Sequence, residues 1–215
     1  MLRERKDVGR ALSVDEEKRL LEAAFSLDSA CYTAVVVGLN TAMRKDEIRN
    51  LRWSQIDFER RTLVVSKSKT EAGAGRVIPL NATAFETLAH WARRFPEAKA
   101  EHYAFPWCEN KHLDPMKATK GWRTAWRHAL RIAGFHCRFH DLRVTAITKL
   151  AEGQTSELTI MAIAGHVSRK MMEHYSRIRT QAKRTALDSL VEGPVNQNVH
   201  QVSSGDIEVP ANLLN

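Results

Sequence analysis

The sequence predicts an α+β fold, mainly helical, with one small antiparallel β-sheet. Three observations carry that expectation. Apolar residues recur at helical spacing through most of the chain, often behind a residue suited to cap a helix N-terminus. One stretch instead alternates β-branched residues: "QIDFERRTLVVSKSK" and "GRVIPL", joined by the Gly/Ala loop "TEAGAG". Finally, 215 residues that are 43% hydrophobic suffice for one substantial core and are cramped for two domains.

The elements follow in order. "LSVDEEKRLLEAA" opens the first helix, with Ser13 and Glu16 at capping-box spacing ahead of Leu20, Leu21 and Ala24. "ACYTAVVVGLNTAMRKDEIRNLRW" is apolar nearly all round up to Asn40 and amphipathic afterwards, which predicts a buried helix, a break, and a second helix from about Met43. The strand pair comes next, then a helix over "NATAFETLAHWARRF" capped by Asn81. "PEAKAEHYAFPWCENKHLDP" is bounded by prolines and keeps no period, so it reads as a long loop. "TKGWRTAWRHALRIAG" sets Trp122, Trp126 and Ala129 on one stripe and Arg123, Arg127 and Arg131 on another, ending at Gly134 as a C-cap. Helices are expected at about 140–152, 156–164 and 168–190, broken by "EGQ" and "GHVS". From about Glu192 the chain turns polar and rich in Gly, Pro and Ser, as in a flexible tail.

Thirty-three Lys and Arg against 25 Asp and Glu leave a net charge of +8. Such an excess suits a polyanion, nucleic acid ahead of an acidic membrane surface. The excess lies in the body, because residues 186–215 hold Asp188, Glu192, Asp206 and Glu208 and no Lys or Arg. Three cysteines without CxxC spacing indicate neither a disulfide framework nor a zinc ribbon. His102, Cys108 and His112 lack a fourth ligand, so no metal site is expected. With no apolar run of membrane-span length and no signal-peptide core, the protein is expected in the cytoplasm, away from membranes.

Several residues could carry chemistry. "FHDLRVT" puts His140 and Arg143 three apart at a helix start, facing the same way. Arg44 and Glu47 are also three apart, Lys67 and Lys69 stand at a strand end, and His166 precedes Tyr175 by nine residues in "GHVSRKMMEHYSRI". Taken singly, each has an ordinary reading: a surface ion pair for Arg44 and Glu47, solvated charges for the lysines and the arginine stripe, a helix-boundary histidine, a core aromatic. Taken together they are cationic or proton-carrying groups around one phenol. A phosphodiester under attack develops charge that two arginines can clamp without a metal, while a tyrosine nucleophile needs a base and its leaving group an acid.

Order and context decide between these readings. Across about residues 12–185 the sequence resembles the catalytic domain of the tyrosine recombinase (phage integrase) family. The resemblance rests on "ALSVDEEKRLLEAA", "TAMRKDEI", "LVVSKSKTEAGAGRVIPL", "FHDLRVTAI" and "GHVSRKMMEHY", in that order. It implies the family's DNA breaking-rejoining fold. Tyr175 matches the nucleophile, Arg44 and Arg143 the two motif arginines, His140 and His166 the two histidines, Lys69 the hairpin lysine in preference to Lys67, and Glu47 the acidic residue after the first arginine. One departure is Ala42 in "NTAMR", where the family commonly has glycine.

The resemblance further implies site-specific recombination of double-stranded DNA through a 3′-phosphotyrosine, without metal, ATP or other cofactor. In that reading Lys67, Arg123, Arg127 and Arg131 contact DNA. The implied assembly is a monomer when free and a homotetramer on synapsed sites, with possible exchange of the C-terminal tail between protomers. Residues 1–11 read as a linker or remnant, because a core-binding domain does not fit ahead of the first helix, and 186–215 as an acidic, partly flexible tail. The expected setting is a bacterial or phage-infected cell. A type IB topoisomerase-like activity and a non-catalytic DNA-binding remnant of a mobile element are the competing readings.

Overall fold

The computed structural model describes residues 9–66, 74–110, 112–153, 155–165, 167 and 187. Lys67, Lys69, His166 and Tyr175 lie outside them, as do the expected 168–190 helix apart from helical Leu187, and the acidic tail. The N-terminal half begins with α1 (Val14–Leu27), whose capping box forms as expected: Ser13 accepts from Glu16 N while the Glu16 carboxylate accepts from Ser13 N. Next comes α2 (Ser29–Thr41), with Cys31, Ala34, Val35, Val36 and Val37 buried on all its sides. It is the central helix, packed between α1, α4 (Ala82–Ala92) and α6 (Phe139–Glu152). Gly38 permits the α6 contact, since a Cβ there would stand 3.3 Å from the Leu142 side chain.

The break after α2 falls at Ala42, in the left-handed region at φ 53°, ψ 21°. The following helix is shorter than expected, α3 (Lys45–Arg49), capped by the reach of Glu47 back to Arg44 N. A 3-10 turn at Trp53–Gln55 leads into the sheet, where β1 (Ile56–Asp57), β2 (Thr62–Val65) and β3 (Arg76–Pro79) pair antiparallel in that order. The sheet expected from the alternating runs is therefore present. Asn81 caps α4 through Ala84 N, also as expected.

The stretch read as a long loop contains a second hairpin. Strands β4 (Pro106–Glu109) and β5 (His112–Ala118) pair antiparallel, with an irregularity between Pro106 and Trp107 that leaves Pro115 outside the ladder's register. Neither strand has a buried face, so no apolar alternation marks it, and each carries a proline that argues against a strand in sequence. The remaining helices are α5 (Arg123–Ala133), α6 and α7 (Glu157–Ala164). α5 buries Trp126 and Ala129 against the core, leaves Arg123, Arg127 and Arg131 exposed, and ends at Gly134 with φ 73°. A second small apolar cluster joins Ala42, Ala146, Ile147, Ile160, Ala164 and Val167, fastening α7 and the segment after it beside the start of α3.

Candidate active site

Arg44 stands at the N-cap of α3, where extended backbone turns into helix. Its side chain is held by Glu47, which accepts from Arg44 N at 2.8 Å and from Nη1 at 2.9 Å. Glu47 is not a surface partner: its side chain is 3% exposed. It also takes a two-pronged contact from Arg76, Nη2 to Oε2 at 2.6 Å and Nη1 to Oε1 at 3.3 Å. One buried carboxylate thus serves two guanidiniums, which leaves the cluster positive. Arg76 in turn donates Nε to the Ile163 carbonyl at 2.9 Å, so a single side chain links β3, α3 and α7.

Arg143 lies on α6, one turn beyond His140, and is 3% exposed. Its Nη1 donates to the Ala42 carbonyl at 2.5 Å and to the Ala164 carbonyl at 2.7 Å. These carbonyls end α2 and α7, so the arginine orients both segments that run on into the motif residues. The left-handed turn at Ala42 is a conformation glycine takes without a Cβ penalty, which accounts physically for the commoner glycine. Gly165 has φ 73° and ψ −148°, a region essentially closed to side-chain-bearing residues. The chain therefore leaves α7 sharply, and Val167 returns to the cluster around Ala42.

Arg44, Glu47 and His140 line one cleft of about 850 Å³, together with Val65 and Ser66 from the stem that leads to the Lys67–Lys69 segment. His140 is accessible from this cleft, yet the surrounding protein desolvates it enough to push its pKa below the usual imidazole value, with the nearby Arg143 charge acting in the same direction. The shift favours the neutral imidazole, the form able to accept a proton. Of the expected site residues, Arg44, Glu47 and His140 line the cleft, Arg143 is buried near His140 without lining it, and Lys67, Lys69, His166 and Tyr175 are outside the described residues. The α5 arginines do not line the cleft. Among the described residues no three His, Cys, Asp or Glu side chains stand together as a metal site.

Three participants escaped the sequence reading. Arg76 falls in the same alternation phase as buried Ile78, and a charge on the core side of a strand requires a buried partner, so its signal was present in "GRVIPL". Arg52 and Tyr103, which line the cleft beyond α3, carried no comparable signal, because 51 residues separate them in sequence.

Comparisons with known proteins bear on the family and the fold. The profile of the phage integrase family matches residues 10–182. The shufflon-specific DNA recombinase of Escherichia coli is 33% identical over 185 residues, covering 84% of this chain and 43% of its own. The integrase of Salmonella phage P22 is 27% identical over 179 residues, covering 79% and 44%. Among solved structures, XerA recombinase matches with a TM-score of 0.64 at 24% identity, over 89% of this chain and 66% of that one. The catalytic domain of bacteriophage HP1 integrase matches with a TM-score of 0.61 at 16% identity, over 87% and 99%. The Tn1549 transposon integrase, solved with circular intermediate DNA, matches with a TM-score of 0.64 at 20% identity, over 81% and 62%. The fold is thus the helical α+β fold that the sequence predicts. The chain spans a little under half the length of those first two curated relatives.

Proposed function

The chain belongs to the phage integrase family, and from that premise we propose that it is the catalytic part of a site-specific tyrosine recombinase, which breaks and rejoins double-stranded DNA through a phosphotyrosine at Tyr175. The observation that carries the proposal is the convergence of Arg44, fixed by buried Glu47, with His140 on a cleft whose flanking turns are tied together by Arg143. No chemistry of solvent exposure alone calls for a buried carboxylate shared by two arginines.

In this reading the Tyr175 oxygen attacks the scissile phosphorus and the bond to the 5′ oxygen breaks. The product is a 3′-phosphotyrosine and a free 5′ hydroxyl. His140 takes the phenolic proton, and Lys69 supplies one to the leaving 5′ oxygen. Arg44 and Arg143 stabilise charge on the non-bridging oxygens, His166 hydrogen-bonds one of them, and Glu47 holds Arg44 in place. Rejoining is the same sequence reversed, so bond energy is conserved and neither ATP nor a metal is needed.

The DNA is double-stranded, bound by a basic body to which Lys67, Arg123, Arg127 and Arg131 contribute phosphate contacts. Residues 12–185 form the catalytic domain, preceded by a linker and followed by an acidic tail at 186–215. Free protein is monomeric, synapsis on two sites assembles four protomers, and tail exchange links neighbours. The setting is the cytoplasm of a bacterial or phage-infected cell. No helix among the described residues is long and apolar enough to cross a membrane.

Covalent trapping tests the chemistry. The protein is mixed, in the presence of EDTA, with a pool of nicked suicide duplexes of varied sequence and run on a denaturing gel. A DNA-bearing band that is absent with Tyr175→Phe is expected. An adduct that persists in Tyr175→Phe, or relaxation of supercoils without any strand exchange between duplexes, would contradict the recombinase reading.

A further inference from the structure

The cleft is lined by more than Arg44 and His140. Asn50, Arg52, Ser54 and Tyr103 also line it, and about 850 Å³ is a volume of the size that accepts a whole drug-sized ligand. A single phosphodiester at Arg44 leaves most of it empty. We propose that Arg52, seated on Tyr103, forms a second phosphodiester subsite in this cleft, taking a backbone phosphate near the one held at Arg44. The proposal rests on the DNA reading above and deepens it.

Arg52 is arranged as an anion site is arranged. Its guanidinium carbon lies over the Tyr103 ring, 4.2 Å from the centroid, a cation–π contact that restrains it. One terminal nitrogen, Nη1, donates to the Glu101 carbonyl and the other, Nη2, to the Tyr103 hydroxyl at 3.1 Å. Both acceptors are neutral. None of the described carboxylates lies within ion-pair distance of Arg52, whereas Arg44, Arg49, Arg76 and Arg138 each have an Asp or Glu partner. A cation rigidly positioned by neutral groups, on a cleft, keeps its charge for a ligand.

Tyr103 adds a second donor. Its oxygen accepts from Arg52, and among the described residues no acceptor takes the phenolic proton, so that proton can reach a phosphate oxygen beside the guanidinium. The pair is carried by backbone as well: Arg52 and Tyr103 form an isolated antiparallel bridge, and Trp53 N donates to the His102 carbonyl at 3.1 Å. The subsite is therefore built on a fixed junction between the end of α3 and the segment before β4.

The bland alternative is that Arg52 only ties that segment down, in which case its removal alters stability and nothing else. Duplex affinity is measured from 50 to 200 mM salt for the wild type, Arg52→Gln and Tyr103→Phe. Losing one phosphate contact should lower the slope of log K against log salt by about 0.9 in Arg52→Gln. Tyr103→Phe, which keeps the ring and removes only the hydroxyl, should bind several-fold more weakly at an unchanged slope. A scan of single methylphosphonates along the cleaved strand should then find one position, near the scissile phosphate, that weakens the wild type and is silent in Arg52→Gln.

An unchanged slope in a folded Arg52→Gln, or equal methylphosphonate effects in both proteins at every position, would overturn the subsite. Should Arg52→Gln fail to fold, Tyr103→Phe decides: affinity equal to wild type overturns it. A wild type that forms the phosphotyrosine adduct while Arg52 and Tyr103 prove silent would remove the subsite and leave the recombinase reading standing. A wild type without DNA affinity or adduct would remove both.

Discussion

Arg76 and Glu47 meet at 2.6 Å with side chains only 5% and 3% exposed, 29 residues apart in sequence, and this contact underlies the position of Arg44. Removing one member of a buried ion pair leaves the other's charge uncompensated, a loss of about 3–5 kcal/mol. Arg76→Gln is therefore expected to cost about 3 kcal/mol in urea unfolding, at the low end because Arg44 still serves Glu47. In a double-mutant cycle with Glu47→Gln, the coupling should approach about 2 kcal/mol or more. Coupling near zero would mean that the pair is incidental.

Ala42 carries opposing effects that nearly cancel. Glycine would relieve about 1–2 kcal/mol of left-handed strain, but it gives up a methyl worth about 0.8 kcal/mol and about 0.5–1 kcal/mol of backbone entropy. Ala42→Gly should consequently stay within about 1 kcal/mol of the parent. Ala42→Val places a branched side chain in the same buried turn, which is 1% exposed, and should cost more than about 2 kcal/mol. Thermal melts of both variants check the contrast.

His140 should titrate below the ordinary imidazole range, because the surrounding protein desolvates the imidazolium and the Arg143 charge adds to the effect. In the unfolded chain it protonates near pH 6.5, so between that pH and its lower folded value the unfolded state binds more protons. The contribution of His140 to stability is then complete above pH 6.5 and lost as the pH falls toward the folded pKa. NMR titration of the imidazole checks the direction. Cleavage should decline through the same acid window as the base becomes protonated, and Arg44→Gln should move the titration slightly upward.

Gly165→Ala should cost about 1–3 kcal/mol, since its φ and ψ lie where a Cβ is strained. Cleavage should fall by more than stability explains at temperatures where the variant is fully folded, because the turn directs the chain that carries His166. Comparing adduct formation rates well below the melting transition separates the two effects.

Much of this was legible in the sequence for identifiable reasons. Ser13–Glu16, Asn81 and Gly134 announce helix ends through local hydrogen bonds, so they required no tertiary knowledge. Arg44, His140 and Arg143 were found because their motifs keep order and spacing. The β4–β5 hairpin was hidden, since its strands bury no face and include Pro106 and Pro115. The depth of Glu47 was hidden too: an i,i+3 pair with Arg44 looks like a surface contact until Arg76 arrives from another element. Arg52 and Tyr103 are brought together only by the fold, and nothing in either segment points to the other.

Identifying the residue joined to DNA decides whether Tyr175 is the nucleophile. The covalent complex is digested with nuclease and trypsin and mapped by mass spectrometry. A nucleotide 3′-phosphate is expected on Tyr175 within residues 171–177, "MMEHYSR", with a free 5′ hydroxyl on the released strand. Attachment to any other residue, or a 5′-phosphate on the adduct, would contradict it.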